Sequence, residues 1–248
     1  MKNIDGKVYK SLCYFYSMYQ YSYIVLSLIL GTIWLVLFFL RKDLRSKMFF
    51  MSLPLGVCGA FLEMMYRADW WVSPTILNLP INPESFLYSF FLTGIAAVLY
   101  EELFKKRIRP RALKKETIEK KRVNFWILSV CFAAGHLILF YGFHLNSLAS
   151  TLIMFGGALI FVWVKRSDLI IDSLASGVLL VFVSALAYGL VNLFTPGWID
   201  SLWYFQFFSD KLLILGYPLE ELLFYFFFGA VVGPFYEFWE EAKVVRKY

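Results

Sequence analysis

Carboxylate residues stand at the borders of the most apolar segments of this chain. Residues 218–238 read PLEELLFYFFFGAVVGPFYEF, with Glu220 and Glu221 at the start and Glu237 near the end. Glu63 interrupts another apolar segment, in FLEMM. An apolar environment disfavours an ionised carboxylate and keeps a transferable proton on the group near neutral pH. Because ionisable residues inside membrane segments are usually functional, these residues predict acid–base chemistry on an apolar substrate.

The acids at the segment starts also have a simpler interpretation. Pro83 and Pro218 suit the first turn of a helix, where no backbone N–H is needed. A glutamate one or two residues later interacts favourably with the helix dipole, by about 0.3–1 kcal/mol. Glu84, Glu220 and Glu221 would then be first-turn acids in the headgroup region. Their recurrence in two segments favours the functional interpretation.

The composition indicates an integral membrane protein. The 248 residues are 60% hydrophobic and 21% aromatic, and only 17% are charged, whereas about 25% are charged in soluble domains. About 20 apolar residues are needed to span a bilayer as a helix. The predicted fold is therefore an all-α, polytopic membrane helical bundle with seven transmembrane helices, at residues 21–40, 48–66, 84–104, 123–143, 147–164, 169–194 and 218–239.

The basic residues predict the orientation of this bundle. If the N-terminus is outside, 19 of the 24 Lys and Arg residues fall in the loops and tail of the cytoplasmic side, as the positive-inside rule requires. These loop residues account for the net charge of +6, so the charge does not indicate a nucleic-acid partner and none is expected. The basic loop 105–122 is interpreted as a topology determinant, with binding of anionic lipid or a partner as the alternative.

Cysteine and histidine give no metal pattern. Cys13, Cys58 and Cys131 are scattered, which predicts neither a disulfide framework nor a zinc site. His136 and His144 are the only histidines, and two on one helix make a poor metal site alone. His136 is interpreted as an interior imidazole, with a proton relay or a metal ligand as alternatives. No metal and no cofactor are predicted.

The chain contains an internal repeat. Residues 82–102 align with residues 218–238 at an offset of 136, with six identities that include Glu84 with Glu220 and Glu101 with Glu237. A tryptophan-bearing loop, ADWWVSP or TPGWIDSLW, precedes each copy. Two apolar helices match easily by composition, but a glutamate at both ends is harder to match by chance. The alignment therefore predicts a duplicated unit.

The spans that precede each copy extend the repeat, so spans one to three and spans five to seven form two units. Corresponding spans are four positions apart, an even number, so they cross the membrane in the same direction and the two units are parallel. Glu84 and Glu220 then lie at the same depth, and Glu63 and Asn192 approach that depth from neighbouring helices. The prediction is a single membrane domain, 1–248, with repeat one at 21–104, a linker span at 123–143 and repeat two at 147–239.

The acids at the predicted cytoplasmic ends of the third and seventh spans have a structural interpretation. Glu101 and Glu102 adjoin Lys105 and Lys106 at helical spacing. Ion pairs at this spacing stabilise helices. We therefore expect Glu101, Glu102 and Glu237 to be structural.

The chain resembles the membrane-integral lycopene cyclase family, in which the cyclase domain is duplicated. The features that carry the resemblance are the segment PLEELLFYFF, its repeat NPESFLYSFF and the tryptophan-bearing loops. The resemblance covers nearly the whole chain. Pro218, Glu220, Glu221 and Phe224 fit the Pro-x-Glu-Glu-x-x-Phe pattern of that family. The first copy departs from the pattern, since Ser85 stands where a second acid is typical.

The resemblance implies a cofactor-independent isomerase whose substrate is a linear carotenoid or a related isoprenoid. A carboxylic acid protonates the terminal double bond, the tertiary cation is attacked by a nearby double bond, and a base removes a proton to leave a β-type ring. Glu220 or Glu221 would be the acid, and the other, with Glu84, the base or cation stabiliser. The candidate catalytic residues are Glu220, Glu221, Glu84 and Glu63, with Asn192, Phe224, Tyr88 and Pro218 as supporting or pocket residues.

Two other functions fit the sequence. A non-enzymatic relative that binds an isoprenoid or a partner span is compatible with Ser85. An intramembrane protease of the CAAX-processing type is matched only in fragments, by the Glu101–Glu102 pair and by Phe132-x-x-x-His136. The exact substrate and the oligomeric state are left open.

Overall fold

The computed structural model describes residues 19–73, 75–77, 79–110, 130–204, 213–214 and 217–246. Within them the chain is mainly helical, as predicted. Helices long and apolar enough to cross a membrane lie at Ser22–Leu40, Arg45–Asp69, Ser147–Lys165, Ser167–Phe194 and Leu219–Trp239. Many large apolar side chains on these helices are exposed, a surface that suits lipid rather than water. The predicted membrane environment is supported at this level.

Among the described residues, the first half of the chain forms four helices. They are α1 Ser22–Leu40, α2 Arg45–Asp69, α3 Pro83–Ala96 and α4 Leu99–Leu103. Pro83 occupies the first helical position of α3, as predicted, because proline lacks only an N–H that has no partner there. The predicted third span is thus two consecutive helices that break at Ala97 and Val98.

The described part of the second half begins with a shorter helix. Its elements are α5 Val130–Gly142, α6 Ser147–Lys165, a 3₁₀ turn at Ser167–Leu169, α7 Ile170–Phe194, α8 Trp198–Leu202, α9 Leu219–Val232 and α10 Phe235–Trp239. Asn146 caps α6 by accepting a hydrogen bond from the Ala149 N–H at 2.7 Å. The break between α9 and α10, at Gly233 and Pro234, stands 136 residues after the break between α3 and α4.

Short antiparallel strands follow two of these helices, although the sequence predicted none. Strand β1, Lys106–Pro110, pairs with β4, Ala242–Arg246, so that Lys106 lies opposite Arg246. Strands β2, Leu213–Ile214, and β3, Tyr217–Pro218, pair before α9. The predicted basic loop thus begins with β1; its remainder, 111–122, and residues 123–129 of the predicted fourth span lie outside the described residues.

The helices pack as two groups of three. Helix α3 lies against α1 and α2, and α9 lies against α6 and α7. The groups also contact each other through polar side chains. Ser22 Oγ donates to Thr195 Oγ1 at 3.1 Å, and the Ser147 N–H donates to Asp69 Oδ2 at 2.8 Å. The start of α1 thus contacts the end of α7, and the start of α6 contacts the end of α2.

A buried arginine fixes the turn between α1 and α2. The Arg41 guanidinium binds both carboxylate oxygens of Asp43, at 3.0 and 2.9 Å, and donates to the carbonyls of Glu101 at 2.8 Å and Lys106 at 2.5 Å. The hydrogen bonds that Arg41 donates to Asp43 raise the pKa of Arg41 above its ordinary value. One side chain therefore joins the α1–α2 turn to α4 and β1.

The turn between α6 and α7 is built in the same way. Arg166 binds both oxygens of Asp168 at 2.8 Å and donates to the carbonyls of Glu237 at 3.2 Å and Ala242 at 2.9 Å. Burial acts to lower the pKa of Arg166, but Asp168 raises it overall. We call the end of the bundle with these two turns the arginine end, and the opposite end, where Trp71 and Trp203 meet, the tryptophan end.

Candidate functional site

Glu221 is a predicted catalytic carboxylate whose two oxygens both accept hydrogen bonds. It lies in the first turn of α9 and exposes only 5% of its surface. The Trp203 indole N–H donates to its Oε1 at 2.7 Å, and the Tyr188 hydroxyl donates to its Oε2 at 3.4 Å. Both carboxylate oxygens are thus held by aromatic donors from the α8 end and from α7, which fixes the orientation of the group.

A chain of tyrosine hydroxyls leads away from Glu221. The Tyr225 hydroxyl donates to the Tyr188 oxygen at 2.8 Å, and the Tyr88 hydroxyl is in short contact with the Tyr225 hydroxyl. A hydroxyl both donates and accepts, so the order Tyr88, Tyr225, Tyr188, Glu221 is a continuous path for a proton. The path joins α3 of the first group to α9 and α7 of the second.

Glu63 of α2 faces the same buried region. It exposes 5% of its surface, and its Oε1 lies 3.7 Å from Arg67 Nε. This separation is an ion pair but too long for a hydrogen bond, and the Arg67 Nε–H donates instead to Ser73 Oγ at 2.6 Å. Glu63 lies within electrostatic range of Glu221 and of the Tyr88 hydroxyl. The structure therefore brings Glu63 and Glu221 into one electrostatically connected cluster.

Glu84 and Glu220 begin α3 and α9 at matching positions. Glu84 is buried, and its Oε1 accepts a hydrogen bond from the Ile76 N–H at 3.0 Å, which ties α3 to the preceding loop. Glu220 is also buried and lies within electrostatic range of Glu221. Both residues lie in the first turn of their helices, as the simpler interpretation predicts, and both are buried within the protein.

Tryptophans from the two tryptophan-bearing loops meet next to Glu221. The Trp71 and Trp203 rings stack with centroids 5.1 Å apart, and Tyr23 packs edge-on against Trp71 at 5.1 Å. The backbones also pair, since the Val72 N–H donates to the Leu202 carbonyl at 2.7 Å. This loop pairing is what carries Trp203 to Glu221.

The predicted supporting residues have different places. Phe224 is buried and packs against Trp70, with ring centroids 5.2 Å apart. Pro218 is buried at the start of α9. Asn192 is exposed, and its Oδ1 accepts the Gly197 N–H at 3.2 Å. Asn192 thus belongs to the turn after α7 and not to the buried carboxylate region where we predicted it.

At the arginine end, the predicted ion pairs are partly correct. Lys105 binds Glu102 at 2.7 Å, as predicted. Glu101 pairs instead with the buried Lys47, whose Nζ lies 2.7 Å from Glu101 Oε1 and 2.7 Å from Glu237 Oε1. The sequence missed this pairing because Lys47 was assigned to a cytoplasmic loop, whereas α2 begins at Arg45.

Sequence reasoning also missed Tyr188, Tyr225 and Trp203. A signal for Tyr188 existed: it follows Glu63 by 125 residues, the same separation as between Arg41 and Arg166. Aligning α2 with α7 at this offset would have paired Tyr188, rather than Asn192, with Glu63. Tyr225 and Trp203 carry no such signal.

Comparison with known proteins gives no relative. No protein-family model, no curated protein and no solved structure matches the chain. The function must therefore be argued from the residues and their contacts.

Proposed function

We propose that the protein is a membrane-integral isomerase of the lycopene cyclase type, which closes a ring on a linear carotenoid or related isoprenoid by proton transfer. The observation that supports this most is Glu221: a buried carboxylate, oriented by two donors, that terminates a chain of three tyrosine hydroxyls. Proton delivery to an apolar substrate requires a buried acid with a route for its reprotonation.

In this proposal Glu221 in its acid form donates a proton to the terminal double bond of the substrate. A second double bond attacks the resulting tertiary cation and closes the ring. A neighbouring carboxylate, Glu63 or Glu220, then takes a proton from the adjacent carbon, so no atoms are gained or lost overall. The rings of Trp71, Trp203 and Tyr23 supply electron-rich faces that stabilise a cation.

We further infer a seven-span bundle of two parallel repeats with the N-terminus outside. The matching turns at Arg41 and Arg166 and the breaks at Ala97 and Gly233 support the duplication. The excess of Lys and Arg at the arginine end supports the orientation. In this arrangement the carboxylate region lies toward the outer side, at the interface between the repeats.

The test is expression in a lycopene-producing bacterium followed by pigment chromatography. Ring-bearing products are expected from the wild type and not from Glu221→Gln. The matched control is Glu102→Gln, which changes a carboxylate at the arginine end and should leave product formation intact. Immunoblotting of membranes establishes that each variant is present at similar amounts. Unchanged lycopene with abundant wild-type protein would refute lycopene as the substrate.

A binding role without chemistry is the second candidate, and Ser85 favours it. Ser85 is buried at the position of the second acid in the first copy, so one half has fewer proton-transfer groups. A polyene that co-purifies with the protein and elutes unchanged would support binding alone. The contacts of Glu101 with Lys47 and of Glu102 with Arg41 give no support to the protease alternative.

A further inference from the structure

A second group of charged side chains is buried at the arginine end, away from the proposed catalytic carboxylates. Lys47 of α2, Glu101 of α4, Asp172 of α7 and Glu237 of α10 each expose 3% or less of their surface. One carboxylate oxygen from each of the three acids lies within 4.8 Å of the other two. We call these four residues the Lys47 cluster.

The charges of the Lys47 cluster do not balance. Three carboxylates and one ammonium leave two negative charges when all are ionised. The Lys47 Nζ already contacts Glu101 Oε1, both oxygens of Glu237 and the Gly233 carbonyl, at 2.7 to 3.1 Å, so its three protons are fully used. Burying unbalanced charge away from water is strongly unfavourable. The cluster must therefore gain positive charge, either as a bound cation or as protons on the carboxylates.

Two oxygens of the cluster are positioned to bind it. Within the part of the chain that the structure describes, Glu101 Oε2 and Asp172 Oδ2 are buried without a hydrogen-bond partner. The other oxygen of Asp172 is held by the Ser176 hydroxyl at 3.1 Å. The carboxylates are therefore oriented by Lys47 and Ser176, while one oxygen on each of two acids remains available as a ligand.

We propose that the Lys47 cluster binds one divalent cation through Glu101, Asp172 and Glu237. The Glu237 ligand is an oxygen that also contacts Lys47, since a carboxylate oxygen has a second lone pair. A divalent ion brings the net charge of the cluster to zero with Lys47 ionised. An all-oxygen donor set selects a hard cation, Mg²⁺, Ca²⁺ or Mn²⁺, over zinc or copper. Oxygen spacings within 4.8 Å are compatible with metal–oxygen distances of about 2.0–2.6 Å.

The proposed ion would connect both halves of the bundle. Glu101 belongs to the first half, and Asp172 and Glu237 belong to the second. Arg41 and Arg166 hold the Glu101 and Glu237 backbones from either side. The ion would thus cross-link the two halves at the arginine end. This structural role does not depend on whether the protein is a cyclase.

The test uses the full-length protein, purified in detergent, stripped with EDTA and titrated with Mn²⁺ under electron paramagnetic resonance detection. One bound Mn²⁺ per chain is expected, displaced by Mg²⁺ or Ca²⁺. Saturation should raise the melting temperature by about 5 °C or more. Asp172→Asn should weaken Mn²⁺ binding at least tenfold, whereas the control Glu102→Gln should bind as the wild type does.

The wild-type protein alone is sufficient to overturn the proposal, even if Asp172→Asn fails to fold. Absence of stoichiometric Mn²⁺ binding and a melting temperature unchanged by Mg²⁺, Ca²⁺ or EDTA would refute it. Infrared bands of protonated carboxyl groups that disappear in Glu101→Gln would then identify protons as the balancing charge. Equal Mn²⁺ binding by the wild type and a folded Asp172→Asn variant would also refute the assigned ligands.

Discussion

Removing the buried ammonium of Lys47 is the sharpest test of how the arginine end is held together. The substitution Lys47→Met keeps most of the side-chain volume and removes the charge. It breaks two contacts of 2.7 Å, to Glu101 and Glu237, and the hydrogen bond to the Gly233 carbonyl at 3.1 Å. Three carboxylates then remain buried together with no ammonium among them.

The expected effect is large. Removing one partner of a buried ion pair destabilises a protein by about 3–5 kcal/mol, because the other charge stays buried and unpaired. For a chain of about 250 residues, each kcal/mol lowers the melting temperature by about 2–4 °C. Lys47→Met should therefore melt about 6–20 °C below the wild type.

Thermal unfolding in detergent containing EDTA measures this loss without interference from added cations. The double variant Lys47→Met, Glu237→Gln removes one of the orphaned charges and should recover about 1–3 kcal/mol of the loss. The control Lys105→Met removes a lysine whose side chain is 71% exposed and which pairs with Glu102 at 2.7 Å. It should cost about 1 kcal/mol or less.

A Lys47→Met variant as stable as the wild type would refute the view that Lys47 compensates these carboxylates. The same conclusion would follow if the Glu237→Gln change added to the loss instead of relieving it.

Three further predictions follow from single contacts. Arg41→Lys and Arg166→Lys should each destabilise the protein by about 2–4 kcal/mol in thermal unfolding. Each guanidinium donates separate hydrogen bonds to two aspartate oxygens and two carbonyls, whereas a lysine ammonium has three donors at a single point and no planar fork. A loss in only one of the two variants would contradict the equivalence of the turns. Trp203→Phe keeps one aromatic ring of the indole but removes the N–H bound to Glu221, and it should lower the free energy of unfolding by about 1–3 kcal/mol. Tyr225→Phe interrupts the hydroxyl chain and should reduce ring formation in the pigment assay by about a hundredfold, at unchanged protein level; full activity would exclude the chain as the proton route.

The sequence alone was sufficient to predict the long helices and the membrane character of the protein. Long apolar segments can satisfy their backbone groups in a bilayer only as helices or closed barrels, and Pro83 marked the start of α3 within one residue. The burial of Glu63 was also foreseeable, because this residue lies inside an apolar segment and not at its border. These features depend on residue type and spacing along one segment.

Which side chains meet across segments was decided only by the tertiary structure. Trp203 reaches Glu221 because its loop pairs with the loop of Trp71, and Tyr188 reaches Glu221 because α7 packs against α9. The placement of Asn192 failed because it lies four residues after Tyr188, about 6 Å farther along the axis of α7. Its side chain therefore binds the Gly197 N–H at the helix end and does not reach the buried carboxylates. Lys47 and its three acids come from four different helices, and nothing in any one of these segments indicates the others. Sequence spacing fixes positions on a single helix, whereas a buried charge cluster depends on how several helices pack.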